Sequence, residues 1–201
     1  TGAVIMLTDI TAGPLPHMGR GKFHVNNGEL LPLVGFSAVH DRVELRTFDS
    51  FSNDFEIADL ADGKTVFSKR LAANTAKFKG LGAMDKKGLI AWNLTQWRKL
   101  AKPVRTEPFR ERGFFSIRCK RHPWQVSYLV VFPNPYITLP SVQHRRWGTF
   151  RMSKVPAGTW TLEAWHPKLQ AVQRTRKITV TADETLEFSI AFRPPAEAGA
   201  P

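Results

Sequence analysis

Cys119 and His122 are the two residues of this sequence whose types and spacing could do chemistry together. A thiol and an imidazole on one turn can converge on a single point, and sulfur with imidazole nitrogen is the ligand chemistry of copper or zinc. Two ligands do not make a metal site, because a cysteine near a histidine is also common as a small buried apolar residue. The spacing alone leaves metal binding and simple core packing both open.

Two strands on either side of a turn, within residues 113–132, are predicted to position this pair. Apolar and polar residues alternate up to Cys119, which is the period of a half-buried strand and predicts that the thiol points inward. Pro123 cannot continue the ladder, so His122 is predicted to lie in the turn before the second strand.

Another strand is predicted from Val39 to Phe48, where Val43, Leu45 and Thr47 share one face. This strand would deliver Asp49 and the Ser52-Asn53-Asp54 phrase to the end of the sheet where a metal would sit.

The remaining histidines are scattered, and we interpret them as surface or turn residues. His40 is the best substitute ligand, yet the predicted strand places it about ten residues from Asn53 at a rise of roughly 3.3 Å per residue, near the opposite end. His166 is interpreted as a structural anchor at the end of a strand.

Further strands follow from alternation and turn residues. Ala3–Leu7 and Lys22–Val25 are predicted strands, and the second leads into a tight hairpin turn at Asn26-Asn27-Gly28, because Asn and Gly tolerate positive φ. Residues 58–88 lack a sustained period and are predicted to form a long excursion with short strands and a helical turn. Residues 89–100 fit either a strand or a helix, and strand is favoured. The predicted C-terminal strands are Gly148–Met152, Thr159–Trp165, Gln173–Val180 and Thr185–Phe192, with a turn at Val155-Pro-Ala-Gly158.

The run Cys119-Lys-Arg-His122-Pro-Trp-Gln125 resembles the copper loop of short-loop cupredoxins such as amicyanin. A wider pattern is similar to extracytoplasmic bacterial proteins of the plastocyanin-like or methylamine-utilisation-like type, which join a cupredoxin-like domain to a carboxypeptidase-regulatory-like β-sandwich. The phrases that carry this wider resemblance are Asn134-Pro-Tyr136, Gly148-Thr-Phe150, Val155-Pro-Ala-Gly158 and Trp165-His166-Pro167.

The resemblance implies an all-β chain with a cupredoxin-like Greek-key sandwich and a smaller transthyretin/carboxypeptidase-regulatory-like β-sandwich. The expected boundaries are 21–133 for the first domain and 134–192, possibly with 1–20, for the second. A flexible tail is expected at 193–201, which is rich in Pro and Ala.

The same resemblance implies a ligand set that this chain does not complete. Asn53 stands where the family has its first histidine ligand, and Gln125 stands at the axial methionine position. A blue-copper site has two histidines and one thiolate in its trigonal plane, so one imidazole is missing. No cofactor is therefore expected, and copper held by Cys119, His122, Gln125 and Asn53 is the alternative.

Positive charge dominates the composition, with 29 Lys and Arg against 17 acidic residues and a net charge of +12. Such a surface attracts acidic partners or polyanions. Nucleic acid is disfavoured, because no RNA-binding sheet motif or recognition-helix pattern is present. A solvated basic face with no partner also remains open. A rim of cations around the loop is expected to dock an acidic protein, such as a cytochrome or another redox subunit, in a hetero-complex: Arg110, Arg112, Arg118, Lys120, Arg121, Arg145 and Arg146.

Other function classes are disfavoured by the sequence. No run approaches the roughly 20 apolar residues of a membrane helix. No phosphate loop, paired zinc-type cysteine motif or nucleophile elbow occurs, so an enzyme is not expected. A single cysteine excludes an internal disulfide and is silent on compartment, so a periplasmic or extracellular location rests on the resemblance alone.

Three functions remain as hypotheses. The first is a copper-less accessory or scaffold subunit of an extracytoplasmic assembly involved in electron transfer. The second is a copper electron carrier with altered ligands, and the third is a module that binds polyanions.

Overall fold

The computed structural model describes residues 2–10, 21–74, 102–143 and 146–195. All regular secondary structure in these ranges is β, so the prediction of an all-β chain is confirmed for them. The predicted segment 89–100 and the second part of the predicted excursion, residues 75–88, lie outside the described residues. The described residues contain no helix that is long and apolar enough to cross a membrane.

The chain divides into two compact units. His17–Pro133 forms one, called here the sandwich unit, and Thr1–Pro16 with Asn134–Pro201 forms the other, called the terminal unit.

The strands of the sandwich unit are β2 (Lys22–Asn26), β3 (Glu29–Leu31), β4 (Val34–Ala38), β5 (Glu44–Thr47), β6 (Asn53–Asp59), β7 (Thr65–Leu71), β8 (Val104–Arg105), β9 (Gly113–Cys119) and β10 (Val126–Phe132). Those of the terminal unit are β1 (Val4–Leu7), β11 (Ile137–Thr138), β12 (Ser141–Gln143), β13 (Arg146–Thr149), β14 (Gly158–Trp165), β15 (Gln170–Ala171), β16 (Thr175–Val180) and β17 (Phe192–Arg193).

The sandwich unit is built from two sheets, with strand orders β3-β2-β5-β8 and β4-β10-β9-β6-β7. Both sheets are mixed, because β2 pairs parallel with β5 and β4 pairs parallel with β10. Parallel neighbours cannot be joined by a tight hairpin, so the chain crosses between the sheets before it returns.

The core of the sandwich unit lies between these two sheets. Phe23 and Leu45 come from one sheet and Phe55, Ile117 and Leu129 from the other, and all are buried. On β6 the inward positions alternate with outward acidic ones, as period two requires. Because Asn53 is the first inward position of β6, this alternation also buries its amide.

The predicted turn after β2 is confirmed. Asn27 and Gly28 have φ of 52° and 77°, the two positive values of a type I′ hairpin. The Asp49 carboxylate accepts hydrogen bonds of 2.8 Å from both backbone N–H groups of this turn. The hairpin is thereby attached to the loop that leads into β6.

In the terminal unit, β1 is fully buried and pairs antiparallel with β11 and β14, and β16 completes a sheet of order β11-β1-β14-β16. Leu162 and Ala164 of β14 are buried in the core with Ile178. The buried Asn134 amide donates to the carbonyls of Leu7 and Ile10 at 2.9 and 3.2 Å. This amide fixes the end of β1.

Several strand predictions need correction. The strand predicted over Val39–Phe48 is shorter, because His40 has φ of 71° in a turn and the ladder begins at Glu44. Gly148–Met152 is displaced, since β13 ends at Thr149, and Gln173–Val180 begins at Thr175. Of the strand predicted over Thr185–Phe192, only Phe192 lies in a strand, β17.

The segment at 185–192 alternates without a ladder. Phe188, Ile190 and Phe192 pack against the core of the terminal unit, yet only Phe192–Arg193 pairs with a neighbouring strand. Alternation reports which side of a segment is buried, while a strand also needs a partner backbone.

Glu44 is a charged residue that is nevertheless buried, because two arginines reach it. Arg46 on its own strand lies 2.6 Å from the carboxylate, and Arg105 on β8 lies 3.2 Å away. Burial raises the pKa of Glu44, but the hydrogen bonds and charges of the two arginines outweigh this effect and leave the pKa below its ordinary value of 4.5.

We expect Glu44→Gln to lower the free energy of unfolding by about 1–2 kcal/mol at neutral pH, because hydrogen bonds to a charged group are lost. A lowered folded-state pKa contributes stability that is present above the unfolded pKa and disappears as pH falls through the folded value. The wild type should therefore lose this contribution below about pH 4.5, and the variant should not. Denaturant unfolding between pH 3 and pH 7 measures the difference.

The exposed Glu29→Gln serves as the matched control and should leave the pH profile of the wild type intact. Identical profiles for Glu44→Gln and the wild type would contradict the role assigned to this carboxylate.

Candidate functional site

The antiparallel ladder between β6 and β9 brings the candidate residues to one end of the sheet. Phe55 is the Cα partner of Cys119, so the last residue of β9 lies beside the first residues of β6. The N–H of Lys120 donates to the carbonyl of Asp54 at 2.8 Å and extends this ladder. Asn53, at the start of β6, is therefore placed next to the thiol.

A tight turn returns the chain from Cys119 to the site. The N–H of Gln125 donates to the carbonyl of His122 at 2.9 Å, and Pro123 occupies the second position of this four-residue turn, which its fixed φ favours. The N–H of Cys119 donates to the carbonyl of Gln125 at 3.2 Å. The loop is thus closed at both ends, and His122 is directed toward Cys119.

Three of the predicted site residues converge. Cys119 Sγ lies 3.4 Å from His122 Nδ1, and His122 Nδ1 lies 3.1 Å from Asn53 Oδ1. The thiol also donates to Asn53 Oδ1 at 3.7 Å. We call these three residues the Cys-His-Asn triad.

The amide of Asn53 has a defined orientation. Its Nδ2 donates to Thr47 Oγ1 at 3.1 Å and to the Phe51 carbonyl at 3.4 Å. A carbonyl only accepts, so Nδ2 must face Phe51 and Oδ1 must face the triad. Since an amide oxygen also only accepts, the contact with His122 requires the hydrogen on Nδ1, and we assign that tautomer.

Gln125 is the fourth predicted residue, and its side chain is 1% exposed. Neither of its side-chain polar atoms has a hydrogen-bond partner within the part of the chain that the structure describes. Gln125 lies opposite Cys119 across the strand pair, so both side chains lie on the same, inward face. Burial of an amide without hydrogen-bond partners costs folding free energy, so the presence of Gln125 here calls for an explanation other than stability.

Two aromatic rings flank the half-buried His122. The Phe51 ring lies 4.8 Å from the imidazole and the Trp124 ring 5.2 Å, measured between centroids. Trp124 is 69% exposed, so burial does not hold its ring in place. Its Nε1 donates to the carbonyl of Gly28 at 3.1 Å, which ties the loop to the hairpin that Asp49 clamps.

The predicted docking cations are partly neutralised. Lys120 Nζ lies 2.5 Å from a carboxylate oxygen of Glu56, and Arg121 Nε lies 2.6 Å from one of Asp54. The two acidic residues are outward residues of β6. The hydrogen bonds from Lys120 and Thr65 lower the pKa of Glu56 despite some burial.

The other predicted docking residues differ in position. Arg118 is exposed on β9, and its positive charge also helps to lower the pKa of Glu56. Arg146 begins β13 in the terminal unit, and Arg145 lies outside the described residues.

The donor atoms of the Cys-His-Asn triad only partly fit the copper ion that the sequence resemblance implies. A point inside the triangle of the three triad atoms lies about 2.0 Å from each, close to the roughly 2.0–2.3 Å at which zinc binds imidazole nitrogen and thiolate sulfur. The blue-copper plane needs two imidazoles, and here an amide oxygen stands in place of the second. The triad therefore has the size of a metal site, but its donor atoms are not those of a blue-copper site.

Within the described ranges, no group of three or more His, Cys, Asp or Glu residues could hold a metal ion. His40 donates its backbone N–H to the Phe109 carbonyl at 2.7 Å, in a turn at the end of β4. The Nδ1 of His166 accepts from the N–H groups of Lys168 and Leu169 at 3.0 and 2.9 Å, which suits the predicted structural anchor.

Sequence reasoning missed Thr47 and Phe51, which orient the Asn53 amide, and Trp124, which holds the loop. Thr47 was predicted to share a face with the apolar Val43 and Leu45, and a hydroxyl on a buried face needs a hydrogen-bond partner, so a signal for its role was available. Nothing local in the sequence indicated the contact between Trp124 and Gly28, because the two residues are 96 positions apart.

Comparison with protein families finds none that matches this chain, and comparison with curated proteins finds no match. Among solved structures, a purple cupredoxin from Nitrosopumilus maritimus is similar at 17% identity and a TM-score of 0.36, covering 56% of this chain and 99% of that one. An amicyanin mutant in its reduced form is similar at 11% identity and a TM-score of 0.37, covering 65% of this chain and 99% of that one.

A copper-containing nitrite reductase from Thermus scotoductus is similar at 14% identity and a TM-score of 0.39, covering 64% of this chain and only 25% of that one. This chain thus matches about a quarter of that enzyme's length. Similarities with TM-scores this low carry no argument about function.

We expect Asn53→Ala to lower the free energy of unfolding by about 2–4 kcal/mol, because a fully buried amide with several hydrogen bonds is removed and its partners lose their bonds. Denaturant unfolding followed by tryptophan fluorescence measures the loss. The exposed Asn26→Ala, also at a strand end, is the matched control and should change stability by less than about 0.5 kcal/mol. Equal effects for the two variants would contradict the structural role of the triad.

Proposed function

We propose that this protein is a copper-less, cupredoxin-like accessory subunit that binds other proteins within an extracytoplasmic electron-transfer assembly and performs no catalysis itself. The observation that carries the proposal is the Asn53 amide oxygen, which lies 3.1 Å from His122 Nδ1 where a second imidazole would be needed. The extracytoplasmic location and the assembly come from the sequence resemblance.

The internal hydrogen bonding of the triad supports a protein that works without an ion. Asn53 Oδ1 accepts from both His122 and Cys119, so its lone pairs are already engaged. The amide is neutral and its oxygen is a harder donor than imidazole nitrogen, which favours other metals over copper.

The strand arrangement supports a cupredoxin-like scaffold. The sandwich unit has two mixed sheets around one core, and the cysteine and histidine lie on the turn between neighbouring strands β9 and β10. The resemblance of the terminal unit to a carboxypeptidase-regulatory-like domain stays a prediction from its sequence phrases.

The surface beside the triad supports protein binding. Phe51 and Trp124 are exposed next to His122, and Arg118 adds positive charge at the same end of the sheet. An acidic redox protein, such as a cytochrome subunit, would meet an apolar centre with cations at its edge. Because exposed charges are screened over about 8 Å at physiological ionic strength, this association should weaken with salt.

Copper titration tests whether the site is metal-free. The protein purified without added metal should contain substoichiometric copper, and Cu(II) should produce no intense visible thiolate-to-copper band, because the trigonal donor set is incomplete. Cys119→Ala should give the same spectra as the wild type. One tightly bound copper, with a visible band that Cys119→Ala abolishes, would contradict the proposal.

Affinity purification from the native host tests the accessory role. Mass spectrometry should find the same co-purifying proteins with the wild type and with Cys119→Ala, since the thiol is not used. Arg118→Glu should reduce the recovery of acidic partners several-fold, because it reverses one charge at the docking surface. Arg193→Glu, an exposed arginine of the terminal unit, is the matched control. Loss of all partners with Cys119→Ala would contradict a copper-independent role.

A copper electron carrier with altered ligands is the second candidate. It is favoured by the size of the triad triangle and by the buried, unpartnered side chain of Gln125, which could act as an axial oxygen ligand. The titration above separates the two candidates.

A further inference from the structure

We propose that Asn53 alone keeps the pocket free of copper, and that the rest of the pocket is a preformed copper site which one added imidazole completes. The inference rests on the proposed copper-less function and extends it. On this proposal, the absence of copper binding is due to one side chain and not to a general change of the fold.

The covalent geometry of asparagine and histidine supports this assignment. Oδ1 of asparagine and Nδ1 of histidine are both bonded to Cγ, so an imidazole at position 53 can place Nδ1 where Oδ1 now lies. Oδ1 is 3.7 Å from Cys119 Sγ and 3.1 Å from His122 Nδ1. Two nitrogens and one sulfur would then surround a point about 2.0 Å from each, with the trigonal donor set that copper requires.

Gln125 is an independent observation that points to a ligand. Its side chain is 1% exposed, has no hydrogen-bond partner among the described residues, and shares the inward face with Cys119. A weak axial oxygen from glutamine is a known fourth donor of blue-copper sites. The pocket therefore retains three of the four donors, and the fourth position is the one occupied by Asn53.

Metal binding would also change the protons of the pocket. In the wild type the hydrogen of His122 lies on Nδ1 and points at Asn53 Oδ1. In Asn53→His, coordination would need Nδ1 of His122 without hydrogen, so the hydrogen moves to Nε2, and the Cys119 thiol gives one proton to solvent. One proton is therefore released for each Cu(II) bound, and no electron transfer is required.

The substitution carries a cost in folding that the experiment must allow for. Asn53 is fully buried, and an imidazole would lose the Nδ2 hydrogen bonds to Thr47 and Phe51. Phe51 is 37% exposed, so the loop has room to move outward. Asn53→Asp keeps the volume of asparagine and supplies an anionic oxygen that zinc accepts, so it tests the donor without the larger ring.

The test titrates Cu(II), buffered by glycine, into the wild type, Asn53→His, Asn53→His with Cys119→Ser, and Asn26→His. The last variant adds a histidine at an exposed strand end and is the matched control. Asn53→His should bind one Cu(II) at least about 100-fold more tightly than the control. It should show an intense visible band, and unbuffered Cu(II) added in a parallel titration should release one proton from this variant. Both signals should vanish with Cys119→Ser.

Each outcome decides the inference. A folded Asn53→His that binds copper no more tightly than Asn26→His overturns it, while a colourless wild type leaves the proposed function intact. If Asn53→His does not fold, Asn53→Asp decides: tighter Zn²⁺ binding than the wild type supports the inference, and unchanged binding overturns it. A coloured copper complex of the wild type overturns both the inference and the proposed function.

Discussion

The amide of Asn53 is the constraint on which the candidate site depends. Its nitrogen donates to Thr47 and to the loop carbonyl of Phe51, and its oxygen accepts from His122 and Cys119. One buried side chain thereby joins the end of β5, the loop before β6 and the turn after β9. A metal ion bound by side chains would connect these elements through coordination bonds, and here hydrogen bonds provide the connection.

The rest of the sandwich unit delivers this amide to its partners. The ladder between β6 and β9 sets Asn53 beside Cys119, and Pro123 turns His122 back toward both. Asp49 and Trp124 then attach the surrounding loops to the Asn27-Gly28 hairpin. The geometry of the pocket is therefore set by strands and turns that do not themselves take part in any metal chemistry.

Part of this arrangement was predictable because it is local. The inward position of Cys119 follows from period-two alternation, and the hairpin follows from an Asn-Gly pair that tolerates positive φ. Asn53 was identified through the resemblance of short sequence phrases. Its hydrogen bond to Thr47 was not predicted, because the approach of the two side chains depends on the loop between them.

Other features could not be predicted because they depend on distant residues. Glu44 is buried and hydrogen-bonded to Arg105, which lies 61 positions away. Acidic residues are seldom buried unless they are paired, and the local sequence does not show this pairing. Phe188 and Ile190 alternate as a strand would, but no neighbouring backbone pairs with them, and they contact the core as irregular chain. Alternation and charge describe the environment of one residue, whereas ladders and ion pairs require two.

The state of the His122 ring tests the central claim most directly. Nuclear magnetic resonance of histidine-labelled protein can locate the ring hydrogen and detect a ligand on either nitrogen. The account predicts that Nδ1 carries the hydrogen, which is shared with the Asn53 oxygen, and that one equivalent of Cu(I) leaves the His122 signals unchanged. A hydrogen on Nε2, with Nδ1 signals that shift on addition of Cu(I), would contradict it.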